Sequence, residues 1–287
     1  MAAARVTTYE NDGLTFDVRD EGPLDGPVVV LLHGFPQRAS CWDAVAPLLH
    51  AQGYRTVAPD QRGYSPGARP EGRRAYTVDK LVGDVVALLD SLGEAGARVH
   101  LVGHDWGAMV GWGVAARFGD RVRTWTAVSV PHPQAFMKAG LRSTQLLKSW
   151  YMYAFQLPRL PELLAEKKGD RLERMLGSTG MTRAETARFT REIVEYGAFP
   201  GGLGYYRALP FSLRGGVGGR VRVPTTMVWS DGDTAVDGAG ARLAGDYVLA
   251  DYELVVLEGV SHWVPEHAPE ALAEIVLERI GSAGDAA

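Results

Sequence analysis

The feature that most constrains this chain is the stretch Val99–Gly119, "VHLVGHDWGAMVGWGVAARFG". Val99 to Val102 is a short apolar run that reads as a buried strand, and Ala108 to Phe118 has the spacing of a helix packed on a sheet. Between them, Gly103-His104-Asp105-Trp106-Gly107 places a glycine two positions to either side of Asp105. A strand–Gly-x-X-x-Gly–helix turn is the elbow pattern, which holds its central side chain on a strained turn above the sheet. Serine usually stands there, so an aspartate implies different chemistry. Alone, the aspartate could equally cap the helix that follows.

The rest of the chain predicts an α/β fold around that turn. "LTFDVRDEG" alternates, and "VVVLLHGF" is near-continuously apolar, as expected of a strand covered on both faces. A helical stretch from about Ser40 to Ala51, the strand "YRTVAPD" and the helix "YTVDKLVGDVVALLDSLG" follow, and "VRTWTAVSVPHP" comes after the elbow helix. This order predicts a mostly parallel central sheet with helices on both faces. From Gln134 to Gly219 the chain reads as helices and loops rich in leucine and aromatics, a helical cap inserted between core segments 1–133 and 220–287. Gly215 to Gly219, "GGVGG", reads as a linker at its end. Core alternation resumes with "VPTTMVWSDGD", a helix over about Gly238 to Asp246, "YELVVLEGVSH" and a last helix over Pro269 to Ile280, with a disordered tail expected from about residue 281.

Composition narrows the function classes. With 30 Lys and Arg against 34 Asp and Glu the net charge is −4, so nucleic acid and anionic membranes are not expected partners. No stretch approaches a membrane span, and the N-terminus lacks a secretory apolar run, which predicts a cytoplasmic protein. Cys41 is the only cysteine, excluding an internal disulfide, and the seven histidines are scattered along the chain. No metal or cofactor is expected; the expected oligomeric state is monomer or homodimer.

A carboxylate on an elbow is a candidate nucleophile if a base, an orienting acid and oxyanion donors reach it. The ends of parallel strands, where such sites gather, supply each one. "VWSDGDTAV" offers Asp231 and Asp233, of which Asp233 has the better offset, and "EGVSHWVPEH" offers His262. "LLHGFPQ" can present the backbone N–H of Phe35, which with that of Trp106 makes a two-donor hole. Phe35, Trp106 and Trp263 are expected to line a pocket, and His33 and His104 to hold loops. The order nucleophile, acid, base is that of the α/β-hydrolase triad.

These elements resemble the α/β-hydrolase superfamily over nearly the whole chain. Asp105, the elbow Gly103–Gly107 and His33-Gly34-Phe35-Pro36 resemble its epoxide hydrolase branch. The resemblance implies an ester of Asp105 formed by displacement at an electrophilic carbon, then hydrolysed by water that His262, oriented by Asp233, activates. It also implies two tyrosines over the epoxide oxygen. "SWYMYAFQLP" places the first at Tyr151, with Tyr153 as alternative, and "GGLGYYRALP" the second at Tyr206, with Tyr205 as alternative; Tyr153 and Tyr205 are also expected to line the substrate pocket. The expected substrate is an apolar or aromatic epoxide, with water as co-substrate. Haloalkane dehalogenases also carry a tryptophan after the aspartate, but many take a second halide donor from an asparagine where Phe35 stands. Fluoroacetate dehalogenases share "HGFPQ" but have arginines where Trp106 and Met109 stand. A catalytically silent member that binds an apolar small molecule is the alternative from another class.

Overall fold

The structure is a computed structural model that describes residues 4–93, 97–140, 143, 145, 150–167, 169–212 and 218–284. Eight strands form one sheet: β1 (Thr8–Asn11), β2 (Leu14–Glu21), β3 (Val28–Leu32), β4 (Arg55–Pro59), β5 (Val99–His104), β6 (Val122–Val128), β7 (Thr225–Ser230) and β8 (Tyr252–Leu257), in the order β1-β2-β4-β3-β5-β6-β7-β8. From β4 to β8 all neighbours are parallel; β1 and β2 add an antiparallel edge. The helices are α1 (Ala46–Ala51), α2 (Val78–Ser91), α3 (Trp106–Arg117), α4 (Pro133–Gly140), α5 (Trp150–Ala154), α6 (Leu160–Lys167), α7 (Gly169–Gly177), α8 (Arg183–Phe189), α9 (Phe199–Ser212), α10 (Gly238–Leu243), α11 (Val264–His267) and α12 (Pro269–Gly284). No helix of the described residues is long and apolar enough to cross a membrane.

The apolar run of β3 explains the layering. Val28, Val30 and Leu32 join a core with Leu88 of α2 and Val110 of α3, whereas Val29 and Leu31 join a second core with Leu49 of α1 and Val276 of α12. Period-two alternation in a strand with no polar side thus becomes two buried faces. Helices α4 to α9 follow β6, above the carboxyl ends of the parallel strands, with a π-helical turn over Thr190–Glu195 after α8.

Several boundaries differ from expectation. The stretch Ser40–Ala51 divides into a 3-10 turn, Ala39–Trp42, and α1, because Pro47 in the first turn of α1 has no N–H to extend a helix from before it. The helix expected over Gly238 to Asp246 is α10 followed by a 3-10 turn over Ala244–Tyr247. The last helix runs through Gly284, not Ile280, so the expected tail is helical over its first four residues. There Arg279 Nη1 donates to Ser282 Oγ at 3.3 Å and Ser282 Oγ donates to the Arg279 carbonyl at 3.0 Å, tying the added turn down. Strand β1 was not expected. Its signal was Asp12-Gly13, whose φ values of 53° and 73° make the two-residue hairpin loop between Asn11 and Leu14. Gly215 to Val217 of the expected linker, and much of "STQLLKSW" before Trp150, lie outside the described residues.

Candidate active site

Asp105 stands between β5 and α3 at φ 52° and ψ −116°, a conformation that costs a side-chain-bearing residue energy. Its N–H donates to the Val128 carbonyl at 3.2 Å and its carbonyl accepts from Met109 N–H at 3.1 Å, so sheet and helix both hold the turn. The flanking glycines are sterically required. A Cβ on Gly103 would lie 2.5 Å from the Gly107 carbonyl oxygen, and one on Gly107 would overlap that of Leu32. Gly34 is constrained alike, because its Cβ would sit 2.5 Å from Asp105 Oδ1. That absence of a side chain lets the β3 loop close on the carboxylate: Phe35 N–H donates to Asp105 Oδ1 at 2.7 Å. Trp106 opens α3, where first-turn N–H groups have no partner within the helix.

His262 approaches from the loop after β8. Its Nε2 lies 3.6 Å from Asp105 Oδ2 and its Nδ1 lies 2.8 Å from Asp233 Oδ2. Asp233 is buried after β7, and its Oδ1 accepts Ala235 N–H at 2.7 Å and Val236 N–H at 2.8 Å. Asp231 points elsewhere, accepting Gly259 N–H at 2.7 Å in an exposed turn. Burial opposes a proton on His262, but Asp233 and Asp105 outweigh it and raise the imidazole to about 10. Burial also opposes charge on Asp233; the His262 imidazolium and the two N–H donors more than offset that and keep its carboxyl below the usual value.

Two residues fix the backbone of His262 from beneath. Its carbonyl accepts His104 Nε2–H at 2.9 Å and Ser129 Oγ–H at 3.1 Å. Burial drives His104 down to about 4, so it donates as a neutral ring. Ser129 was not singled out from the sequence. Its φ of 68° follows β6 at the strand end next to Asp105, and that position was the available signal. On the other side, His33 Nε2 accepts Gln61 N–H at 3.1 Å while the Gln61 side chain donates to the His33 carbonyl, joining the Phe35 loop to the one after β4.

Two cavities of about 160 and 230 Å³ meet at Asp105, Tyr151, Tyr206 and Ala235. The first is walled by apolar side chains that include Trp106, Met109, Phe136 and Met152. The second takes in Phe35, Thr179, His262 and Trp263. Tyr206 lies edge-on to Trp106, Phe35 and Tyr151, with ring centroids 5.1, 5.2 and 5.9 Å away. Burial raises both phenols above their ordinary range, with the Asp105 charge adding to it.

The alternatives lie outside this junction. Tyr205 is fully buried and its hydroxyl donates to the Arg62 carbonyl at 2.7 Å, because adjacent residues of α9 point about 100° apart. Tyr153 is 66% exposed and lines neither cavity. The expectation that these two line the pocket is therefore corrected: Tyr205 packs between core and helix, and Tyr153 faces solvent.

Residues 29–275 match the model of the Alpha/beta hydrolase family. The chain is 32% identical over 285 residues to the AB hydrolase superfamily protein YfhM of Bacillus subtilis, covering 97% of this chain and 98% of that one. It is 31% identical over 278 residues to Epoxide hydrolase 4 of Homo sapiens, covering 93% of this chain and 76% of that one. Among solved structures it is similar to epoxide hydrolase VrEH1 from Vigna radiata, with a TM-score of 0.80 at 30% identity over 96% of this chain and 97% of that one.

Proposed function

Because the chain belongs to the alpha/beta hydrolase family, we propose that it is a hydrolase that opens epoxides to vicinal diols. The observation that carries this reading is a carboxylate, not a hydroxyl, on the elbow, at the junction of two cavities that Tyr151 and Tyr206 also line. A carboxylate is nucleophilic near neutral pH without a base and displaces at an sp3 carbon. In the proposed first step Asp105 Oδ2 attacks an epoxide carbon. The ring C–O bond breaks, and its oxygen takes a proton from Tyr151 or Tyr206. Phenols held protonated by burial are suited to an alkoxide, which is far more basic than they are.

The product is an alkyl ester whose carbonyl oxygen is Oδ1, already under the Phe35 N–H. In the second step His262 takes a proton from water as it attacks the ester carbonyl. The resulting oxyanion is held by the N–H groups of Phe35 and Trp106. Its collapse breaks the bond from the Asp105 carboxyl carbon to the substrate oxygen, and the departing alkoxide takes the proton from His262 to complete the diol. The proton of the regenerated Asp105 carboxyl returns to the tyrosine. Alkylation itself prepares the base. It neutralises Asp105, one of the two carboxylates that keep His262 protonated, while burial continues to oppose that charge. Asp233 holds the ring through Nδ1.

The walls of the first cavity favour an apolar or aromatic substituent on the epoxide, and helices α4 to α9 serve as the cap that closes it. The test is product analysis of the purified protein with styrene oxide, trans-stilbene oxide and 1-chlorohexane. Diol without chloride release supports the proposal. Chloride release without diol would assign a haloalkane dehalogenase, and neither product would favour a silent binding protein.

A further inference from the structure

The loop that carries His262 is held from two bodies. Beneath it, His104 and Ser129 grip the His262 carbonyl, as described. Above it, residues 179 to 188, which follow α7 and include most of α8, reach down to its neighbours on both sides. Trp263 Nε1–H donates to Thr179 Oγ1 at 3.1 Å, and Arg188 pairs with Glu266, which also accepts Gln37 Nε2–H at 2.7 Å. Between these runs a chain of three side chains: Ser261 Oγ lies 2.7 Å from His267 Nδ1, and His267 Nε2 lies 3.0 and 3.1 Å from the two carboxylate oxygens of Glu185. Ser261 Oγ also accepts Trp263 N–H at 3.1 Å, closing a ring around His262 in which each neighbour is fixed.

We propose that Ser261, His267 and Glu185 are positioning residues for His262, a cap-to-core tie that sets the imidazole against Asp233 and Asp105. Several features support this over a second Ser-His-acid site. Ser261 lines neither cavity at Asp105, its Oγ is committed to His267 and Trp263 N–H, and Gly180 packs on it so closely that a Cβ there would lie 2.7 Å from the Ser261 Cβ. Glu185 reaches the tie from a fixed place. It is the third helical residue of the capping box at the start of α8, three positions after the N-cap Thr182, where Thr182 N–H donates to its Oε2 at 2.6 Å and Thr182 Oγ1 accepts its N–H at 3.3 Å. A displacement of α8 therefore pulls on Glu266 and His267 directly and on Ser261 through His267. In the two-step chemistry proposed above, on which this tie rests for its kinetic meaning, the first step needs Asp105 and the tyrosines. Only the second needs His262 in register, so the tie acts on ester hydrolysis.

The test compares Glu185→Ala, His267→Gln and the control Thr182→Ala, which removes the Thr182 Oγ1 cap but keeps both the backbone N–H bond of residue 182 to Glu185 and the His267–Glu185 pair. The first readout needs no substrate: the downfield proton resonance of His262 Nδ1–H against Asp233, followed by solvent exchange. The tie predicts exchange at least tenfold faster in Glu185→Ala and in His267→Gln, with Thr182→Ala unchanged. The second readout is single-turnover kinetics with styrene oxide. Ester hydrolysis should slow about tenfold in the two tie variants while ester formation stays within twofold. An unchanged His262 proton in both tie variants overturns the proposal. So does equal slowing in all three, which would mean a general loss of α8 stability. If the wild-type protein forms no ester, the epoxide reading fails, and the proton resonance still decides the tie.

Discussion

Asp105 has a φ of 52° and shares one imidazole with a second carboxylate, Asp233. The backbone conformation stores about 1–3 kcal/mol, and two carboxylates beside a single imidazolium repel each other. Replacing Asp105 with glycine removes both costs, so Asp105→Gly should raise the thermal midpoint by roughly 2–4 °C while abolishing ester formation. In the same variant the His262 titration, followed by NMR, should fall below about 10, because one of the two charges that raise it is gone. A lower thermal midpoint would mean that the Phe35 N–H and His262 contacts of Asp105 stabilise the fold more than its strain costs. At this scale the sequence was informative: Gly103 and Gly107 announce the turn because a Cβ at either would run into backbone. Choosing Asp233 over Asp231 was possible from its offset after the strand. Ser129 was not legible, since a serine after a strand carries no mark of the carbonyl it will cap.

Along α9 the side chains of Tyr205 and Tyr206 divide two tasks between neighbours. Tyr206→Phe should slow ester formation by about 10² if its hydroxyl protonates the leaving oxygen. Tyr205→Phe should leave that rate within a few-fold and cost about 1 kcal/mol in urea unfolding, from the lost bond to the Arg62 carbonyl. A larger kinetic effect at Tyr205 than at Tyr206 would overturn the assignment of faces. The sequence could not separate this pair, because α9 is glycine-rich, aromatic and apolar nearly all round, with no polar stripe to orient it. The parallel strands were legible for the opposite reason: a run such as "VVVLL" has no solvent face and must lie inside an α/β sheet. Hairpin β1–β2 was missed because β1 is only four residues long and mostly polar, leaving Asp12-Gly13 as the sole cue.

For the molecule as a whole, the sheet brings Asp105, Asp233 and His262 together from three strand ends, and the helices between β6 and β7 bring Tyr151 and Tyr206 over them. Both bodies contribute, so the account stands or falls on whether Asp105 becomes covalently bound. The most direct measurement is intact-mass analysis of the His262→Gln variant, which should form the ester but release it slowly, mixed with styrene oxide. The expected result is a gain equal to the whole mass of the epoxide, absent when Asp105→Asn is added to the same variant. A diol-producing wild-type enzyme whose His262→Gln variant never gains that mass, or gains it with Asp105 replaced, would contradict it.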